Sequence, residues 1–223
     1  MCLLNLALIA CSTCWFGIKA VSVAEATTVT DPANDFIPTF TGTKSADLDV
    51  VSFSVTLTGS VFDLSLTTNG PIGTLPSSLY VFGVNRGAGT SNFAAIGVPG
   101  VVFDAVITST GMGVLGGRDL VNNTTITFGN SKASINGNSL DILVDESLLP
   151  SLGLTPLQYG FSVWPRDSSV TSGNGQISDF APNDGTITAS VPELATWGML
   201  LLGFAGIGAM TYRRKSKPAL LTA

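Results

Sequence analysis

The sequence predicts an all-β fold, an antiparallel β-sandwich or jelly roll, with a signal peptide before it and a transmembrane helix after it. Three observations carry that expectation. Val51, Phe53, Val55 and Leu57 alternate with Ser52, Ser54, Thr56 and Thr58, the period-two pattern of a half-buried strand. Similar runs recur through the middle of the chain, separated by segments dense in Gly, Asn, Ser and Pro, the residues that turns need. No helical period alternates with these runs, which argues against a sheet wound from βαβ units.

The N-terminal flank, residues 1–26, reads as a signal peptide. Leu3–Ile18 is a nearly unbroken apolar run closed by Lys19. It is short for a span, which needs about 20 residues, but fits a signal-peptide core. Ala24-Glu25-Ala26 then supplies the small-residue pattern for cleavage after Ala26. A rival reading takes Leu8-Ile9-Ala10-Cys11 as a lipoprotein box with Cys11 lipidated.

The middle of the chain, 27–184, is the expected sandwich domain. Its strands are Val51–Thr58, then Phe62, Leu64 and Leu66 after the Gly59-Ser60 turn. Leu79–Val84, Val101–Thr108, Thr124–Phe128, Leu140–Val144 and Tyr159–Trp164 follow, with Gly185–Ser190 as a last strand or linker. Asp145–Leu152 alone reads as helical, with Asp145 as N-cap. Phe53, Phe62, Phe82, Phe103, Phe128 and Phe161 each fall in a strand pattern and are expected in the core. Trp164, before Pro165, is either a core edge or a rim aromatic on which a sugar ring stacks. Tyr159, Phe161 and Val163 alternate away from it onto the opposite face.

Composition narrows the chemistry. The chain has no histidine, and Cys2, Cys11 and Cys14 all lie in the first 14 residues. The sandwich therefore lacks Ser-His-Asp and Cys-His machinery, a disulfide and a His or Cys metal site. Residues 27–190 hold 13 acidic and 5 basic side chains, a balance that argues against a nucleic-acid partner. Twelve of the acids are aspartates, short carboxylates suited to calcium when carried on loops. Asp31 and Asp35 sit in Asp31-Pro32-Ala33-Asn34-Asp35, and Asp47 and Asp49 precede the first long strand, where alternation puts both on one face. These four are the candidate ligands of a structural Ca²⁺ near the N-terminal edge, against the plainer reading of solvated turn aspartates. Asp179 and Asp184 lie late in the chain. No EF-hand or nonapeptide calcium repeat occurs.

Gly111-Met112-Gly113-Val114-Leu115-Gly116 spells G-x-G-x-x-G, but the dinucleotide motif needs a helix next. A turn leading to another strand is expected instead. A two-carboxylate glycan hydrolase needs a paired acid and base or nucleophile, and no spacing pairs any two acids here. No catalytic residue is assigned.

The C-terminal flank is 191–217. Leu194–Tyr212 is 19 residues without a charge, about 28 Å as a helix against a hydrocarbon core of about 30 Å. Arg213, Arg214, Lys215 and Lys217 (the basic tail 213–217) follow at once and hold that end in the cytoplasm by the positive-inside rule, so 27–190 faces outward. Val191-Pro192-Glu193-Leu194, the Trp-bearing apolar helix over 194–212 and Tyr212-Arg213-Arg214-Lys215 together resemble the PEP-CTERM sorting signal. The family's second proline is Leu194 here. The resemblance implies a Gram-negative bacterium that makes exopolysaccharide, and processing by exosortase, a membrane-embedded transpeptidase-like cysteine protease. Pro192, Glu193, Arg213, Arg214 and Lys215 are then recognition residues in the inner membrane and at its faces. The alternative is a plain single-pass anchor.

Across most of 31–184, Asp31-Pro32-x-x-Asp35, Asp47-x-Asp49, Tyr80-Val81-Phe82-Gly83-Val84 and Ser178-Asp179-Phe180-Ala181-Pro182 loosely resemble exported β-sandwiches related to carbohydrate-binding modules. The expectation is a non-enzymatic structural or interaction domain of the cell surface or exopolysaccharide matrix. The alternatives are a carbohydrate-binding module and, lower, a glycan hydrolase.

Overall fold

A computed structural model describes residues 27–129, 131–171, 173–191 and 203, 204 and 207. The signal-peptide expectation for 1–26, and Pro192, Glu193, Arg213, Arg214 and Lys215, lie outside the described residues. Gly203, Phe204 and Ile207 are helical. Among the described residues no helix is long and apolar enough to cross a membrane.

The described chain is all-β, and its strands are paired antiparallel. One five-stranded sheet runs β1(Thr28–Thr30)-β2(Val50–Thr58)-β3(Val61–Thr68)-β11(Ser139–Asp145)-β10(Ser134–Asn136). A six-stranded sheet runs β13(Ile187–Thr188)-β12(Gly160–Asp167)-β4(Ser78–Asn85)-β7(Ala105–Thr110)-β8(Leu115–Asp119)-β9(Thr124–Thr125). A short hairpin pairs β5(Thr90–Ser91) with β6(Val102–Phe103).

The two large sheets meet in one core, giving a sandwich-like arrangement. Phe53, Val55, Phe62, Leu64, Leu140 and Ile142 from the first join Tyr80, Phe82, Val84, Ile107, Phe161 and Val163 from the second. The alternation read along β2 and β3 is the alternation of this face. It fails at one point. A register shift between Val50 and Ser52 turns Val50 inward and leaves Val51 half-buried, because a bulge adds one residue and reverses the phase of the side chains before it.

β4 and β12 are buried on both faces. Their outer side carries a second apolar cluster of Val81, Phe93, Val98, Val101, Phe103, Trp164, Ile177 and Phe180. Trp164 is 2% exposed, with its ring centroid 4.9 Å from Phe103, 5.1 Å from Phe93 and 6.1 Å from Phe180. Gly83 makes the room: a Cβ there would lie 2.6 Å from the indole. The rim-stacking expectation for Trp164 is thus corrected to core, because hairpin β5–β6 and the segment at 177–180 cover the strand face that a two-layer sandwich would leave open.

Other boundaries moved for local reasons. The expected run Val101–Thr108 is interrupted at Asp104, whose carboxylate turns onto Arg86. Asp145–Leu152 contracts to a 3₁₀ turn at Glu146–Leu148, where Asp145 does cap, accepting from Ser147 N at 2.8 Å. Thr124–Phe128 is a strand only over Thr124–Thr125, and Gly185–Ser190 only over Ile187–Thr188. The glycine motif is a turn at Gly111–Gly113, with Gly113 at φ 77°, and its second half continues straight into β8.

Both ends of the domain reach one edge. β1 pairs with β2 from Thr28↔Ser54 to Thr30↔Ser52. Farther along the same edge, Ser190 bridges Thr56 in parallel, with Leu57 N donating to Ser190 O at 2.7 Å and Ser190 N to Val55 O at 3.0 Å.

Candidate functional site

Chemistry-bearing side chains gather where the segment after β1 crosses the start of β2. Asp31 N donates to Val51 O at 3.0 Å, fixing the turn that carries Asp31 and Asp35. Asn34 takes φ 69° within it, a left-handed conformation that Asn tolerates better than most residues. Asp179 arrives from far along the chain. Its Oδ2 accepts from Val50 N at 2.8 Å and its Oδ1 from Phe180 N at 2.7 Å. Carboxylate oxygens of Asp31, Asp35 and Asp179 lie within 4.8 Å of one another.

Asp49 flanks this trio. It is wholly buried, and its Oδ2 accepts from Asn34 N at 2.8 Å and Asn69 Nδ2 at 2.9 Å. Its Oδ1 is buried with no hydrogen-bond partner, as are Asp31 Oδ2 and Asp35 Oδ1. Burial, the Asp35 charge and the Asp49 charge push Asp31 up to about 7, against hydrogen bonds from Asp179 and Asn183. Burial pushes Asp179 up to about 8; the Val50 and Phe180 amides oppose this, while the charges of Asp31 and Asp35 reinforce it. Each carboxylate raises the cost of ionising its neighbour.

Of the four expected ligands, the structure brings together Asp31 and Asp35 and sets Asp49 beside them. Asp47 goes elsewhere. It lies in a 3₁₀ turn at Ala46–Leu48 rather than in an extended strand, so the two-residue alternation does not apply. Its Oδ2 accepts from Leu75 N at 3.0 Å and contacts Tyr80 Oη at 3.4 Å. Asp47 and Asp49 therefore share no partner. Asp179 takes the third place in the trio. No local spacing announces it, because Val50 is its backbone partner across 129 positions of sequence.

Two further charged groups stand apart from this cluster. Arg86, with no exposed surface, holds Asp104 through Nε at 2.7 Å and lies 3.0 Å from Asp119 through Nη2. Burial would push its guanidinium down, but the Asp104 hydrogen bond and the Asp104 and Asp119 charges outweigh that and hold it above the ordinary arginine value. On the outward face of the first sheet, burial and then the Asp141 charge raise Asp63.

Comparison of the chain with protein-family models, with curated proteins and with solved structures finds no match.

Proposed function

We propose that this is an exported protein of a Gram-negative envelope, with a β-sandwich delivered to the cell surface or exopolysaccharide matrix by a C-terminal sorting signal. The observation that carries the reading is the order of elements after the domain. Pro192-Glu193 precedes the uncharged stretch Leu194–Tyr212, and Arg213, Arg214 and Lys215 follow it. Exosortase is the processing partner in this reading, and the inner membrane the transient or permanent anchor. Physically the apolar helix parks the substrate, the basic cluster stops translocation, and Pro192 keeps the segment at the outer face extended for a protease.

The sandwich acts here as a structural or interaction domain and performs no chemistry of its own. Burial of Trp164 favours this over a carbohydrate-binding module, since the aromatic proposed for sugar stacking packs against Phe93 and Phe103 instead. The acidic balance of the domain fits an extracellular surface that does not hold nucleic acid.

Intact mass spectrometry of the protein recovered separately from inner membrane, cell surface and medium tests the proposal. The expected result is a surface or medium species that begins near Thr27 and ends near Pro192–Glu193. A species retaining Leu194–Ala223 and confined to the inner membrane would overturn sorting and leave an anchored domain.

A further inference from the structure

We propose that Asp31, Asp35 and Asp179 bind one calcium ion, with Asp49 beside them, and that the ion clamps the N-terminal strap to the closing loop of the domain. Three carboxylate groups within 4.8 Å form an all-oxygen, anionic donor set, which selects a hard divalent cation. Proximity of acids alone would not carry this. The independent observation is Asp49, fully buried, hydrogen-bonded through Oδ2 to the turn that carries Asp31 and Asp35, with its Oδ1 buried and without a partner. Buried carboxylate oxygens are ordinarily satisfied, yet Asp31 Oδ2 and Asp35 Oδ1 are orphaned as well. A divalent ion supplies what these oxygens lack, a common partner.

The placement gives the ion a mechanical role. Asp31 and Asp35 belong to the strap between β1 and β2, and Asp179 to the segment that follows β12 and precedes β13. The strap is also tied to that segment by Ile37 N donating to Ser178 O at 2.9 Å, Thr41 N to Gly175 O at 2.9 Å and Ser178 Oγ to Leu48 O at 2.7 Å. A cation joining Asp31 and Asp35 to Asp179 cross-links two segments almost 150 positions apart. Calcium is favoured over magnesium because aspartates on turns suit its irregular, larger shell, whereas magnesium keeps near-ideal octahedral geometry and most of its waters.

The test uses the full-length protein in detergent, with calcium chloride as the probe and EDTA as reference. With a dissociation constant of about 0.1 mM, 5 mM calcium raises Tm by about 5 °C or more, and magnesium at equal concentration raises it less. Asp35→Asn removes one carboxylate that makes no backbone bond among the described residues. It is expected to abolish most of the calcium shift while leaving Tm in EDTA unchanged or higher, because one repulsion is gone. Glu146→Gln, which removes a carboxylate elsewhere, keeps the full shift. Hydrogen exchange on wild type decides the matter even if Asp35→Asn fails to fold. Calcium should add protection at 29–51 and 177–184. No calcium-dependent shift up to 10 mM, a shift that survives Asp35→Asn, or protection confined to other segments would each overturn the assignment.

Discussion

Replacing Arg86 with methionine is expected to destabilise the domain by about 3–5 kcal/mol, because it strands two buried carboxylates. Arg86 has no exposed surface, and Asp104 and Asp119 are 2% and 5% exposed. The guanidinium donates through Nε to Asp104 at 2.7 Å and through Nη1 to Pro150 O at 3.3 Å, while Nη2 lies 3.0 Å from Asp119 outside hydrogen-bond alignment. Without the cation each acid keeps backbone donors: Arg86 N and Ala88 N for Asp104, Val121 N and Asn122 N for Asp119. Those donors place the expected cost near the lower bound, about 3 kcal/mol. For a domain of roughly 160 residues this is a fall in Tm of about 6–12 °C. Calorimetric melts of wild type and variant at pH 7 read it directly. Burial acts to raise Asp119, but the Asn122 amide and Arg86 hold it below the ordinary carboxylate value; without Arg86 it takes up a proton more readily, so the gap between the two proteins must narrow as pH falls below 4. Arg86→Lys keeps the charge but loses the planar fork, and falls between the two. A loss under about 1 kcal/mol, or a gap that does not change with pH, would refute the reasoning.

Trp164→Ala should cost about 3–5 kcal/mol in denaturant titrations, as expected for emptying a packed aromatic site; a cost below 1 kcal/mol would mean the outer cluster is not packed as described. Asp167 predicts an acid limb. Burial acts to raise its pKa, but bonds donated by Ser169, Thr43 and Ser77 outweigh it and hold the carboxyl at about 2. A depressed carboxyl stabilises the fold fully above its unfolded value near 4, and that stability is lost as pH falls from about 4 to 2. The contribution is about 2 kcal/mol, read by comparing acid titrations of wild type and Asp167→Asn; identical acid limbs would contradict it.

Period two made β2, β3 and β11 readable to within a residue or two, because one face of each lies on the core and burial is what the alternation encodes. Trp164 stayed open between core edge and rim for the complementary reason. A strand covered on both faces has no polar side to betray its cover, and the cover, Phe93, Val98 and Phe180, comes from segments with no strand pattern of their own. The acidic cluster was half legible. Asp31 and Asp35 are neighbours in sequence, so a turn suffices to bring them together. Asp179 joins them through tertiary pairing with Val50, and Asp47 leaves them because Ala46–Leu48 coils into a 3₁₀ turn where alternation had been assumed.

The bridge between Ser190 and Thr56 fixes how force would pass through the domain. A pull on the chain beyond Ser190 reaches β2 through the two backbone bonds at Val55 and Leu57, and β12 through the pairing of Ile187 and Thr188. Load is divided between both sheets at their first bonds. Drawn along the strands, these bonds stretch together; drawn across them, they peel in turn. Because Ser190 bridges Thr56, three residues before the Gly59-Ser60 turn, a tether there sits beside the tip of hairpin β2–β3, whereas the β7–β8 turn lies at the far end of β4 from Gly160 and Thr188 and stays free of the attachment.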